Sequence, residues 1–257
     1  MKKNVALVLA YDGTKFLGWQ QTSMGPSIEE TLMEILEQIL QEKVALQAAS
    51  RTDAGVHADG QVVNFFTHKI HLDTASLMMS LNRLLPKSIS VIQAKMMPPQ
   101  FHPTLDAIGK KYYYSLCLGS FQLPKHRFFS WHVPYPLDRG KMETTARYFI
   151  GEHDFSAFCN QLQQVDYQHK NRKIFAIDLF ACEKNRMRIE VSGNQFLYKM
   201  VRNIVGTLVH AGMGRLSPEK VLALLSDPAQ KWWKWTAPAH ALVLKEVFYL
   251  QENRIDV

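Results

Sequence analysis

An α+β fold made of two β-α-β-β-α-β units is what the 257-residue sequence predicts. Three observations predict it. Apolar residues recur first at strand spacing and then at helix spacing. The same order of elements occurs twice. A proline-rich segment, Met97-Pro98-Pro99-Gln100-Phe101-His102-Pro103, separates the two runs and reads as an extended connector.

In the first run, Val5–Tyr11 is the first strand. Ser27, with Glu30 three residues on, makes a capping-box start for a helix over Ile28–Gln41. Its apolar face is Ile28, Leu32, Ile35, Leu36 and Ile39. Strands near Val44–Ala49 and Gln61–Phe66 follow, then a helix from the cap Asp73 to Leu85, stopped by Pro86, and a strand at Ile89–Met96.

After the connector come a strand at Lys111–Leu118, a helix at Leu137–Ile150 and strands at Ile174–Cys182 and Arg186–Val191. A helix spans Gln195–Ala211, and another starts behind the cap Ser217 with Pro218 in its first turn. The last strand is Leu242–Leu250. The expected domains are 1–100 and 101–257, each a ferredoxin-like unit. Two such units joined edge to edge give an extended, mostly antiparallel sheet, with helices on one face and an active-site cleft on the other.

Composition narrows the class. With 47% hydrophobic and 21% charged residues the chain is an ordinary globular protein. No apolar run reaches the roughly 18 residues of a membrane span. The run Val5–Ala10 behind Met1-Lys2-Lys3-Asn4 is too short for a signal peptide. No membrane association and a cytoplasmic location are therefore expected. Cys117, Cys159 and Cys182 are odd in number and widely spaced, which fits neither a disulfide framework nor a zinc site. A net charge of +7 favours a polyanionic partner.

The chemistry concentrates in Ser50-Arg51-Thr52-Asp53-Ala54-Gly55-Val56-His57-Ala58, between two strands. Asp and Gly are common in turns, so the segment by itself reads as a turn. Three further segments accompany it. They are Tyr11-Asp12-Gly13-Thr14-Lys15-Phe16-Leu17-Gly18-Trp19-Gln20, Gly109-Lys110-Lys111-Tyr112-Tyr113-Tyr114 and Gly193 to Gly206, the last containing Met200-Val201-Arg202-Asn203-Ile204-Val205. In this order and at these separations the four segments closely resemble the TruA family of tRNA pseudouridine synthases, over nearly the whole chain.

The resemblance implies an isomerase that converts uridine to pseudouridine in the tRNA anticodon stem-loop, at positions 38 to 40. It implies no cofactor and no metal, tRNA as partner, and a homodimer. Asp53 matches the catalytic carboxylate, which acts as a nucleophile. Arg202 matches the arginine that pairs with it, and Tyr112 the tyrosine that stacks on the uracil. Arg51 matches an arginine that fills the space left by the flipped base. Strand alternation puts Tyr112 and Tyr114 on one face and Tyr113 on the other. His57 and His102 read as structural hydrogen-bonding residues.

Lys110 with Lys111, Lys170 to Lys173 with Arg172, Lys184 with Arg186 and Arg188, and Lys199 are candidates for a phosphate track. Lys231-Trp232-Trp233-Lys234-Trp235 reads as a hydrophobic staple. Ser50 stands where the family has glycine, and Thr104 where it has arginine. The alternative function is a non-catalytic tRNA-binding or RNA-folding protein, whose sign would be the loss of the aspartate.

Overall fold

The computed structural model describes residues 2–160, 169–183, 185–228, 230, 232 and 234–253. Lys184, Lys231 and Trp233 lie outside the described residues. Within them ten strands and five α-helices form, and the strand pairing is mostly antiparallel. The α+β class is therefore as expected. The chain divides into two compact units, 1–110 with 243–257, and 111–242.

The first unit contains β1 (Lys3–Tyr11), α1 (Ile28–Leu40), β2 (Gln47–Ala48), β3 (His57–Thr67), α2 (Thr74–Leu84) and β4 (Ile89–Met97). Its strands lie in the order β4-β1-β3, with β2 beside β3. β1 is buried from Asn4 through Leu9, which is why its sequence is a continuous apolar run. The α1 residues Ile28, Leu32, Leu36 and Leu40 repeat every four positions and are buried. Ser27 Oγ accepts the Glu30 N–H at 3.2 Å, so the expected cap forms.

The connector folds into this unit. Phe101 is buried, its ring 5.4 Å from that of Tyr249. Asn4 Nδ2 donates to the carbonyls of Pro98 and Phe101 at 3.0 and 2.9 Å, and Asn64 Nδ2 donates to Asn4 Oδ1 at 2.8 Å. Buried carbonyls of an irregular segment thus find donors on β1 and β3.

The second unit contains the remainder of β5 (Ala107–Leu118), β6 (Trp131–Val133), α3 (Arg139–Phe149), β7 (Gly151–Asp154), β8 (Asn171–Glu183), β9 (Arg186–Gly193), α4 (Met200–Gly212) and α5 (Pro218–Ser226). Its strand order is β5-β9-β8-β7, with β6 parallel to β5. β8 and β9 form an antiparallel hairpin with Ile177 opposite Val191. Eleven of the thirteen α4 residues are buried, which marks it as the core helix of this unit.

The last strand, β10 (Leu242–Tyr249), pairs parallel with β3 through Val243 and Leu244 opposite His57 and Ala58. Element order alone placed the end of the connector, from Phe101, and β10 with the second half. Parallel pairing with β3 and the Phe101–Tyr249 contact draw them into the first unit.

Local differences have local causes. The expected strand at 44–49 shrinks to Gln47–Ala48. The short strands β6 and β7 carry no alternating pattern and went unread. The helix expected from Gln195 starts at Met200, because Asn194 Oδ1 accepts the N–H groups of Lys173 and Gln195 at 2.9 and 2.7 Å. Such a side chain holds the backbone in a turn and competes with helix formation.

Candidate active site

The loop between β2 and β3 carries Arg51, Thr52 and Asp53, and a second segment grips it on both sides of Asp53. On one side, the Trp19 N–H donates to the Thr52 carbonyl at 3.0 Å. On the other, the Gly55 N–H donates to the Phe16 carbonyl at 3.3 Å. The loop also closes on itself through the Val56 N–H and the Asp53 carbonyl at 3.1 Å.

Gly18 makes this approach possible. Its φ is +95°, and a Cβ there would lie 2.6 Å from the Thr52 carbonyl oxygen and 3.0 Å from the Ala54 nitrogen. No other residue fits both the angle and the space.

Side chains complete the clamp. Tyr11 Oη and Thr52 Oγ1 are hydrogen-bonded at 2.8 Å. Gln61 Nε2 donates to the Ser50 carbonyl at 2.6 Å, and the Ser50 N–H donates to Gln61 Oε1 at 3.1 Å. The β1–β3 register shifts between Leu9 and Tyr11, opposite Gln61 and Ala58, and such an irregularity re-aims side chains next to a site. The Gly13 N–H donates to His57 Nδ1 at 3.1 Å, and His57 is only 2% exposed. Asp12 Oδ1 stands 3.2 Å from the same nitrogen. Burial pushes the Asp12 carboxyl up, but hydrogen bonds from Thr14 and the nearby His57 outweigh it and leave the group below its ordinary value.

The gripping segment is itself anchored to α1. The N–H groups of Ile28 and Glu29 donate to the carbonyls of Gly18 and Trp19 at 3.1 and 3.0 Å. They would otherwise be open donors of the first helical turn. Asp53 is half-buried and Arg51 exposed. The structure thus brings Arg51 and Asp53 onto one fixed loop. His57 and His102 are structural, as expected: His102 Nδ1 accepts the Thr104 N–H at 3.1 Å. Thr104 itself bonds the Ala48 carbonyl through Oγ1 at 2.7 Å.

In the second unit, Tyr112 is buried with its ring edge-on to Phe196, centroids 5.3 Å apart. Tyr114 is a core residue whose hydroxyl donates to the Pro238 carbonyl at 2.8 Å. Burial drives its pKa well up, opposed in part by Arg202. Tyr113 lies half-buried with the Arg188 guanidinium 4.5 Å from its ring centroid. The alternation along the strand is as expected.

Arg202 stands in the first turn of α4. Its Nε donates to the Ala237 carbonyl at 2.8 Å, and the Ala237 N–H returns a bond to the Arg202 carbonyl at 3.1 Å. The close approach of 235–237 to α4 depends on Gly206, where a Cβ would lie 1.7 Å from the Trp235 carbonyl oxygen. Buried Asn203 fixes the same turn through the Phe158 carbonyl and Asn160 Oδ1, both at 2.7 Å.

The candidate phosphate track is uneven. Arg172 is buried, and its guanidinium donates to the Asn171 carbonyl at 2.6 Å. Trp232 and Trp235 pack edge-on, centroids 5.6 Å apart, with Trp232 Nε1 donating to the Ala157 carbonyl at 2.8 Å and Trp235 stacked on His210 of α4, not between the last helix and the last strand. Cys117 and Cys159 are buried free thiols and Cys182 is exposed. Among the described residues no three His, Cys, Asp or Glu side chains are grouped to hold a metal ion. Lys110 is only 8% exposed, and burial pushes its ammonium down to about 8.

A family model described as tRNA pseudouridine synthase matches residues 7–105 and 145–250. The chain is 49% identical over 247 residues to tRNA pseudouridine synthase A 2 of Protochlamydia amoebophila, covering 96% of this chain and 94% of that one. It is 38% identical to tRNA pseudouridine synthase A of Thermoanaerobacter sp., covering 96% of this chain and 100% of the relative. Against the protein of that name from Chlamydia trachomatis, identity is 37% with coverage of 97% and 93%.

Buried Lys110 gives a stability prediction. Its pKa is lower folded than unfolded, so the folded state binds fewer protons between about 8 and the ordinary lysine value. Below that window the folded state carries the whole burden, on the order of 3 kcal/mol, and rising pH relieves it. Lys110→Met is expected to melt above the parent protein at pH 7, with the gap closing toward pH 10. Melting curves across that range check it, and a gap that does not change with pH contradicts it.

Proposed function

The chain belongs to the TruA family of tRNA pseudouridine synthases, and from that premise we propose that the Asp53 carboxylate is the nucleophile that converts uridine to pseudouridine in the anticodon stem-loop. The enzyme is an isomerase acting on tRNA. The bond from N1 of the base to C1′ of the ribose breaks, and a bond from C5 to C1′ forms. A proton leaves C5 and one joins N1, so atoms and electrons balance within the nucleotide.

The observation that carries this reading is the clamp. The loop is tied by backbone hydrogen bonds on either side of Asp53, at the Thr52 carbonyl to Trp19 and at the Gly55 N–H, two residues on, to Phe16. A nucleophile held this way loses little freedom on reaching the reactive geometry. In the reaction Asp53 adds to the nucleotide and leaves again, dividing one difficult step into two. Arg202 takes the part of the family's arginine that pairs with the catalytic carboxylate. Tyr112 stacks on the extruded uracil, and exposed Arg51 takes the space the base vacates. The working form is a cytoplasmic homodimer.

Asp53→Ala is expected to bind unmodified tRNA transcripts as tightly as the parent protein while pseudouridine formation falls by a factor on the order of 10⁴ or more. Chemical mapping of pseudouridine at positions 38 to 40 reads the result. A variant that keeps full activity sinks the mechanism, and a parent protein that binds without making product favours the RNA-binding alternative. Light scattering is expected to give twice the chain mass, and a strict monomer would count against the dimer.

A further inference from the structure

His57 opens β3 directly behind the Asp53 loop and is 2% exposed. An apolar side chain would fill such a site without the cost of burying ring nitrogens. What the imidazole adds is an acceptor, because the Gly13 N–H donates to its Nδ1 at 3.1 Å. Gly13 is buried, so this N–H must find its partner inside the protein. Asp12 Oδ1 lies 3.2 Å from the same nitrogen, a contact that would suit a protonated Nδ1. That oxygen already accepts the Thr14 N–H and hydroxyl at 3.0 and 2.5 Å. The Gly13 N–H has the stronger claim, and it places the ring proton on Nε2.

The bond closes a ring against the loop. The Gly13 carbonyl accepts the Phe16 N–H at 3.0 Å, and the Phe16 carbonyl accepts the Gly55 N–H at 3.3 Å. Gly55, Val56 and His57 complete the ring along the chain. Its members are in close contact: a Cβ on Gly13 would lie 2.0 Å from the Val56 carbonyl oxygen. The Val56 N–H in turn donates to the Asp53 carbonyl at 3.1 Å. Without an acceptor at Nδ1 the ring opens, and the turn that offers the Phe16 carbonyl to the loop loses one of its anchors.

We infer that His57 is a positioning residue for the reaction: its Nδ1 lone pair fixes the turn at 13–16 and, through the Phe16 carbonyl, the loop that carries Asp53. The inference rests on the reading of Asp53 as the nucleophile. His57 takes no part in proton transfer through Nδ1, which is committed to Gly13. Its effect falls on how often the bound complex reaches the reactive geometry, not on how tightly tRNA binds.

The test compares three substitutions in the full chain, by single-turnover rate and by filter-binding affinity on unmodified tRNA transcripts. Asparagine carries its amide near the place of Nδ1, glutamine near that of Nε2, and leucine has no acceptor. His57→Asn is expected to keep the parent rate within about threefold, while His57→Leu and His57→Gln lose about tenfold or more, all with the parent's affinity. Packing alone predicts another order, since leucine suits a buried site best. A His57→Asn rate no higher than that of His57→Gln overturns the inference, and so does a rate loss matched by lost affinity. The comparison of asparagine with glutamine decides the matter even if the leucine variant fails to fold. Failure of the Asp53 reading looks different: Asp53→Ala then makes pseudouridine at the parent rate, whatever the order of the His57 variants.

Discussion

Two backbone hydrogen bonds, from Trp19 to the Thr52 carbonyl and from Gly55 to the Phe16 carbonyl, fix the loop before and after Asp53. Much of the first unit exists to keep them in place. α1 donates its first N–H groups to Gly18 and Trp19, and Ser27 caps the helix that does so. Tyr11 and Gln61 reach the loop from neighbouring strands. An irregular loop would ordinarily leave its backbone polar groups to water. Here they are bonded to protein, which converts a flexible connection into a rigid mount for a carboxylate.

The sequence made the mount only partly legible. Element order came through because α1, α2 and the β8–β9 hairpin have strong local signals: caps, a regular apolar period, a terminating proline. Asp53, Arg51, Tyr112 and Arg202 were legible as candidates only through their motifs. The clamp did not, because its partners lie about 33 to 39 residues away and no periodicity reports such a pairing. Gly18 was visible within its segment, yet its reason, the carbonyl of Thr52, appears only in three dimensions. β10 was assigned by sequence order for the same reason: its parallel partner β3 lies far back along the chain.

Cations divide by environment in a way that counting lysines and arginines does not predict. Arg51 is exposed, Arg188 covers the ring of Tyr113, and Arg172 is buried against carbonyls. These are three different uses of one residue type. The net charge of +7 draws the chain toward polyanions at long range, whereas individual cations specify where a backbone settles. Family membership fixes the reaction class.

The most direct test of the clamp is the single-turnover rate of Gly18→Ala on unmodified tRNA, measured together with its affinity. At φ +95°, a Cβ 2.6 Å from the Thr52 carbonyl must push the loop away. The account predicts a rate lowered tenfold or more, since a displacement of about 1 Å can cost 10²-fold, with tRNA affinity retained. An unchanged rate would contradict the claim that this grip is what places Asp53 for reaction.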